Sequence, residues 1–170
     1  MIVRLTAPDL AQIEPLVASS HLEGFRFVKR LCEEWANGAN RFDRRGEALF
    51  GVCIGGGLVG VGGITRQDDS TGRLRRFYIL PSYRRHGWGR QLLHHILVHA
   101  AEHFRWVVLR TDTDSADRFY CACGFARIRD LGDATHGIEL ARTEPGTTPN
   151  GGPARVPVNS DATDGPPGVS

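Results

Sequence analysis

The segment from Leu74 to Thr111 restricts the fold more than any other part of the chain. It opens with the apolar run LRRFYIL, which Pro81 ends. From Gly87 onward Leu92, Leu93, Ile96, Leu97, Ala100 and Phe104 recur at helical spacing. WVVLRT follows, a nearly continuous apolar run of the kind found in a strand covered on both faces. Strand, helix and strand in that order form a right-handed crossover between parallel strands.

The flanking segments add elements of both kinds. IVRLTA reads as a short first strand, and Pro8-Asp9 opens a helix running to about Leu22. FRFVKRLCEEWANG is a second helix, with Phe27, Leu31 and Trp35 on one face and Gly38 as its stop. ALFGVCI and LVGVGGITR are strands joined by the turn Gly55-Gly56-Gly57, and DDSTG is the turn before LRRFYIL. Asp114 or Ser115 caps a helix over ADRFYCAC that stops at Gly124. Two short strands follow, around ARI and GIELAR. The expected class is α/β (α+β), a mixed sheet with helices on its faces. The domain spans 1–142. Residues 143–170 hold six of the nine prolines, five glycines and no aromatic residue, and read as a flexible tail.

Several partners are disfavoured. No run of about 18 apolar residues occurs, so no membrane span is expected. The N-terminus lacks a signal-peptide apolar block, which makes the cytoplasm the expected location. The formal charge of +2 is too small to argue for nucleic acid. Seven arginines do lie between Arg66 and Arg90, against Asp68 and Asp69 alone. Apolar strand residues interrupt them, so they suit a local phosphate pocket. Cys32, Cys53, Cys121 and Cys123 are expected as reduced thiols near the core, since Cys121-x-Cys123 lacks the C-x-x-C spacing of zinc and redox sites.

The loop RRHGWGRQLL carries the chemistry. The helix starting near Gly87 leaves its first backbone N–H groups unpaired at the positive end of its dipole. Glycine lets the backbone come close to a phosphate, and Arg84, Arg85 and Arg90 add cationic forks. A pyrophosphate fits. The G-K-[ST] signature is missing, since the single lysine is Lys29, and Gly87-x-Gly89 lacks the third glycine of G-x-G-x-x-G. GGGLVGVGG sits between strands, with no helix after it, and reads as a turn and tight sheet packing.

Arg84 to Gly89 resembles the [Q/R]-x-x-G-x-[G/A] loop of the GNAT acetyltransferase superfamily. RFYCACGF, Arg118 to Phe125, is similar to that family's F-Y-x-x-x-G-F segment. The resemblance covers about Leu74 to Ile128. It implies a mostly antiparallel sheet of about six or seven strands with a splayed parallel pair at the cofactor site. It implies acetyl-CoA as co-substrate. Phe77, Tyr78 and Ile79 would offer backbone groups to the pantetheine arm, and the N–H near Ile79 would polarise the thioester carbonyl. Arg84, Arg85, His86, Gly87, Trp88, Gly89 and Arg90 would surround the phosphates. Tyr120 would be the general acid.

The implied activity is N-acetylation of a primary amine, with no metal required. Many family members carry Glu at the start of the central strand, where this chain has Arg73, which cannot act as a base. Glu23, Glu47, Asp68, Asp112 and His21 stay open for that role, as does prior loss of the amine's proton to solvent. His95, His99 and His103 repeat every four residues, a spacing that can bind a metal, but read as a solvated helix face. Phe25, Phe27 and Trp35 either line the acceptor site or fill the core. A non-catalytic CoA-binding module on the same fold and a nucleic-acid binder using the arginines are the rival readings. A homodimer and the identity of the acceptor are left open.

Overall fold

The computed structural model describes residues 1–129 and 131–141, so the tail expected over 143–170 lies outside the described residues. The elements are β1 (Ile2–Arg4), α1 (Leu10–Leu22), α2 (Phe27–Asn37), β2 (Ala48–Ile54), β3 (Gly57–Arg66), β4 (Thr71–Ile79), α3 (Trp88–Ala101), β5 (Trp106–Leu109), α4 (Asp114–Ala122), β6 (Ala126–Arg127) and β7 (His136–Glu139). A single 3-10 turn, Pro81–Tyr83, links β4 to the loop before α3. The seven strands form one sheet in the order β1-β2-β3-β4-β5-β7-β6. All neighbours are antiparallel except β4 and β5, the parallel pair joined by the α3 crossover. No described helix is long and apolar enough to cross a membrane.

Local chemistry explains the ends of these elements. The Asp9 carboxylate accepts from Ala11 N at 2.9 Å and caps α1. Gly38, with φ 78°, ends α2. The cap of α4 is Thr113 and not Asp114 or Ser115: its Oγ1 accepts from Ala116 N at 3.3 Å. Asp114 sits inside the first turn, where its charge suits the helix dipole. β4 starts at Thr71, earlier than its apolar run, because Thr71 and Gly72 pair with Trp106 and Val107.

Each sheet face has its own core. On one, Ile13 and Leu16 of α1 and Val28 and Leu31 of α2 pack on Leu49, Val61 and Tyr78. On the other, Leu92, Leu93, Ile96 and Ala100 of α3 and Tyr120 of α4 pack on Phe50, Ile64, Leu74 and Val107. The α3 histidines are not simply a solvated face. His99 is half-buried, lies edge-on to Phe50 at 5.6 Å, and has its Nε2 sealed without a partner. Burial, reinforced by Arg4 and His103, pushes its pKa down, so the ring is held neutral.

The glycine-rich β2–β3 hairpin is packing, as expected. A Cβ at Gly63 would stand 2.8 Å from Phe42 Cδ1 and 3.0 Å from Ala48 O. Gly63→Val should therefore destabilise the fold by about 1–3 kcal/mol through overpacking, read as a lower midpoint in urea. An unchanged midpoint would mean that Phe42 can move aside freely.

Candidate active site

β4 does not run straight. Its register against β3 shifts between Val61 and Gly63, and Arg76 adopts φ 57°. This is a β-bulge, and it reverses the alternation of side chains. Leu74 before it and Phe77 and Ile79 after it all enter the α3-side core, while Tyr78 enters the α1–α2 core. Arg76 Nη2 donates to both Glu34 oxygens at 2.7 Å, tying the bulge to α2. Arg76 is 9% exposed and its Nε–H has no partner. A buried donor left so costs about 1–3 kcal/mol, offset here by the charge-assisted bonds to Glu34.

β4 and β5 pair only at Thr71–Trp106, Gly72–Val107 and Arg73–Val108. β5 stops at Leu109, and β4 continues to Ile79 with no described strand beside that edge. The strands therefore part at the bulge. At the far end of the opening lies the N-terminus of α3. Gly87, with φ 84°, is its N-cap and supplies no side chain to the first N–H groups. Arg85 also has positive φ, 63°. Left-handed residues next to an uncapped helix end make a concave row of donors suited to an anion. Arg85 and Arg90 are exposed and form no ion pair among the described residues. Trp88 packs on the α3-side core, and His86 Nδ1 lies 2.8 Å from Arg84 O.

Arg84 differs from its neighbours. Its Nη1 and Nη2 donate to the Glu23 oxygens at 2.6 and 2.7 Å, and its Nε donates to Ile79 O at 2.8 Å. The Tyr78 hydroxyl also donates to Glu23, and the Arg84 guanidinium lies over the Tyr78 ring at 5.2 Å. Arg84 thus fastens the end of β4 and the following loop to the α1–α2 corner. The fork of Arg84 holds the Glu23 carboxyl below its usual range, against an opposing effect of burial. Burial, then the bond to Glu23, raises the Tyr78 hydroxyl.

Tyr120 is 7% exposed, packed between Phe77, Phe119 and Phe125 at ring distances of 6.1, 5.1 and 5.6 Å. Burial, with a smaller effect of Cys123, pushes its pKa far up, so it keeps its proton at neutral pH. Its oxygen is not among the sealed polar atoms of the described residues.

The acids that the sequence leaves open as bases have other duties. Glu23 is the partner of Arg84. Glu47 is 5% exposed and accepts from Arg66 N at 2.9 Å. Asp68 braces the β3–β4 turn. Burial works against its ionisation, but bonds from Ser70 and Thr71 outweigh that and lower its pKa. Asp112 is exposed and pairs with Arg110 at 3.5 Å. His21 is exposed in the last turn of α1. Phe25 and Phe27 pack on the α1–α2 core, as does Trp35. Arg73, in place of an acid, is held by Asp133 at 2.6 and 2.7 Å.

A pocket of about 420 Å³ opens where the strands part, lined by Thr65, Arg66, Gln67, Arg73, Arg75, Leu131, Gly132 and Asp133. It continues past Thr65, Arg66 and Arg75 into a second space of about 320 Å³ that reaches Glu34, Asp43 and Arg76. The fold also brings together Asp117, Cys121 and His136, whose ligand-capable atoms lie within 4.8 Å of one another. Arg127, then His136, holds Asp117 down at about 2, so this carboxylate is engaged by both side chains. Nothing in the sequence spacing links these three.

A profile for the Acetyltransferase (GNAT) family matches residues 14–125. The chain belongs to the GNAT acetyltransferase family. The crystal structure of a protein from Exiguobacterium sp. 255-15 assigned to the acetyltransferases is 30% identical, with 82% of this chain and 92% of that one covered and a TM-score of 0.70. An acetyltransferase from Streptococcus agalactiae 2603 is 19% identical over 82% and 98% of the chains, with a TM-score of 0.67. A GNAT acetyltransferase from Elizabethkingia anophelis, solved with acetyl-CoA bound, shares the fold at 15% identity over 82% and 97%, with a TM-score of 0.56. No curated protein sequence matches the chain. The GNAT match includes the α3 loop and the Phe119–Phe125 motif. Asp133 and His136 lie beyond it.

The Arg84–Glu23 lock gives a pH signature. Glu23 has a lowered pKa in the folded chain, so its stabilisation is full above the usual carboxylate range and is lost as pH falls through the folded value. Glu23→Gln should cost about 1 kcal/mol at neutral pH, allowing for solvent screening. The deficit in melting temperature should shrink on acidification to about pH 3. A deficit that persists there would assign the effect to shape and not to charge.

Proposed function

We propose that this GNAT protein transfers an acetyl group from acetyl-CoA directly to a primary amine. The observation that carries the reading is the uncapped, left-handed cradle at the start of α3, set at the mouth of the opening between β4 and β5. The backbone of Arg85 to Arg90 would hold the pyrophosphate, with Arg85 and Arg90 adding charge. Arg84, engaged by Glu23 and Ile79, would set the shape of that loop. The free edge of β4 at Phe77, Tyr78 and Ile79 would take the amide groups of the pantetheine arm.

The amine nitrogen attacks the thioester carbonyl, forming the C–N bond and placing charge on the oxygen. A backbone N–H near Ile79 would stabilise that oxyanion. Collapse breaks the C–S bond, and Tyr120 delivers its proton to the departing sulfur and regains one from solvent. Burial keeps that hydroxyl protonated at neutral pH and also makes it a weak acid, so its contribution falls at the low end for a general acid. The amine's own proton goes to solvent, because Asp133, the one carboxylate lining the larger space, is bound by Arg73. That same absence of a ready base favours a second reading, a CoA-binding module without turnover. Thiol release in the presence of amines decides between the two.

Acetyl-CoA should raise the melting temperature, since a ligand of the folded state stabilises it by mass action. Gly89→Asp should abolish most of that rise without harming the fold. A Cβ at Gly89 would meet Phe119 only at ordinary contact, 3.5 Å, and an acid in the first turn suits α3. Normal CoA affinity in this variant would place the cofactor elsewhere. Tyr120→Phe should lower kcat by about 100-fold, the lower end for a general acid, while CoA affinity stays close to wild type. A kcat within about twofold of wild type with chemistry rate-limiting would remove Tyr120 from the mechanism.

A further inference from the structure

The pocket at the opening of β4 and β5 has a charge pattern that bears on the acceptor. Arg73 is neutralised by Asp133, Arg76 by Glu34, and Arg66 by Asp69 at 3.1 Å. Arg75 stands among them with no carboxylate partner among the described residues. Its Nε donates to Thr65 Oγ1 at 3.4 Å, which orients the guanidinium and leaves both terminal nitrogens without a described partner. Partial burial, then the positive charges of Arg73 and Arg76, holds its pKa below the usual arginine value. The Glu34 and Asp133 carboxylates act in the opposite direction without bonding to it.

Its position matters as much as its charge. Arg73 is the last β4 residue paired with β5, and Arg75 follows it on the same face, before the bulge. Arg75 lines both spaces of the trough, so it lies centrally in the volume open to an acceptor. The larger space suits a small molecule. A guanidinium with its two terminal nitrogens open binds a planar carboxylate through two parallel bonds.

We infer that the acceptor is a small amine that also carries a carboxylate, and that Arg75 is the residue that binds this carboxylate and turns the amine toward the opening. The inference rests on the acetyl-transfer reading and names its substrate class. Arg75 fixes which amines are accepted and takes no part in bond making.

The test uses the full chain and a panel of amino acids and ω-amino acids, each beside its carboxamide, with phosphoethanolamine as the phosphate-bearing member. Thiol release gives kcat and KM. Nitrogen-edited NMR of the arginine side chains, with CoA present, reports binding without turnover. A carboxylate member should be preferred over its amide by about 10- to 100-fold in kcat/KM, the range of one charge-assisted contact. Arg75→Ala should remove that preference through KM while the acetyl-CoA rise in melting temperature persists, and Arg75→Lys should restore part of it. The carboxylate should shift the Arg75 Nε signal, and its amide should not.

Acetylation of amides as readily as acids would overturn the inference. So would a preference for phosphoethanolamine, an acid preference that survives Arg75→Ala, or no acceptor in the panel while acetyl-CoA still stabilises the protein. Loss of acetyl-CoA stabilisation in the wild-type chain overturns instead the transfer reading beneath it.

Discussion

The bond between Arg76 and Glu34 holds the site in its shape. A non-glycine residue at positive φ is disfavoured, and a bulge there persists only where its surroundings hold it. Glu34 does so from α2, through two bonds to one nitrogen of a nearly buried guanidinium. The bulge then sets everything downstream on β4. It sends Phe77 and Ile79 to the α3 side, Tyr78 to the α1–α2 side, and ends the stretch in which β4 can pair with β5. An uninterrupted strand would turn Phe77 to the opposite face, away from Phe119 and Tyr120.

Two ion pairs divide the work on either side of that bulge. Glu23 and Arg84 lock the end where β4 gives way to the loop before α3, the cofactor end on the acetyl-transfer reading. Asp133 and Arg73 lock the other end, joining the start of β4 to the segment before β7. Both pairs are bidentate, and neither is deeply buried, so each contributes modestly to stability. Their larger effect is geometric: they fix the two rims of an opening whose floor has no strand to close it.

Much of this architecture was legible because it is periodic. The crossover from Leu74 to Thr111 and the hairpin glycines fell where spacing placed them, since a helical stripe and a turn are local features. The α3 loop was legible for a different reason, a compact motif. The bulge has no periodic signature, although Arg75-Arg76 carries a hint. Two adjacent charged residues inside a strand cannot both face the same side without a break in alternation. The partners were out of reach. Glu34 and Asp133 meet their arginines across 42 and 60 positions of sequence, and no local pattern predicts such a meeting. For the same reason the sequence alone leaves Glu23 available as a base, although Arg84 holds it, and Thr113 stands unmarked as a cap beside Asp114 and Ser115.

The sealed state of Asp133 reaches beyond geometry. On the acetyl-transfer reading, the larger space offers the amine no ready sink for its proton, since its lining carboxylate is already bound by Arg73. Selection among acceptors is then partly thermodynamic. At neutral pH a lysine-like amine with a pKa near 10 is neutral in only about one molecule in a thousand, while an amine two units less basic is neutral about a hundredfold more often. On that reading the Arg73–Asp133 pair would act as a filter on basicity, favouring weakly basic nitrogens before any contact with the pocket has been made.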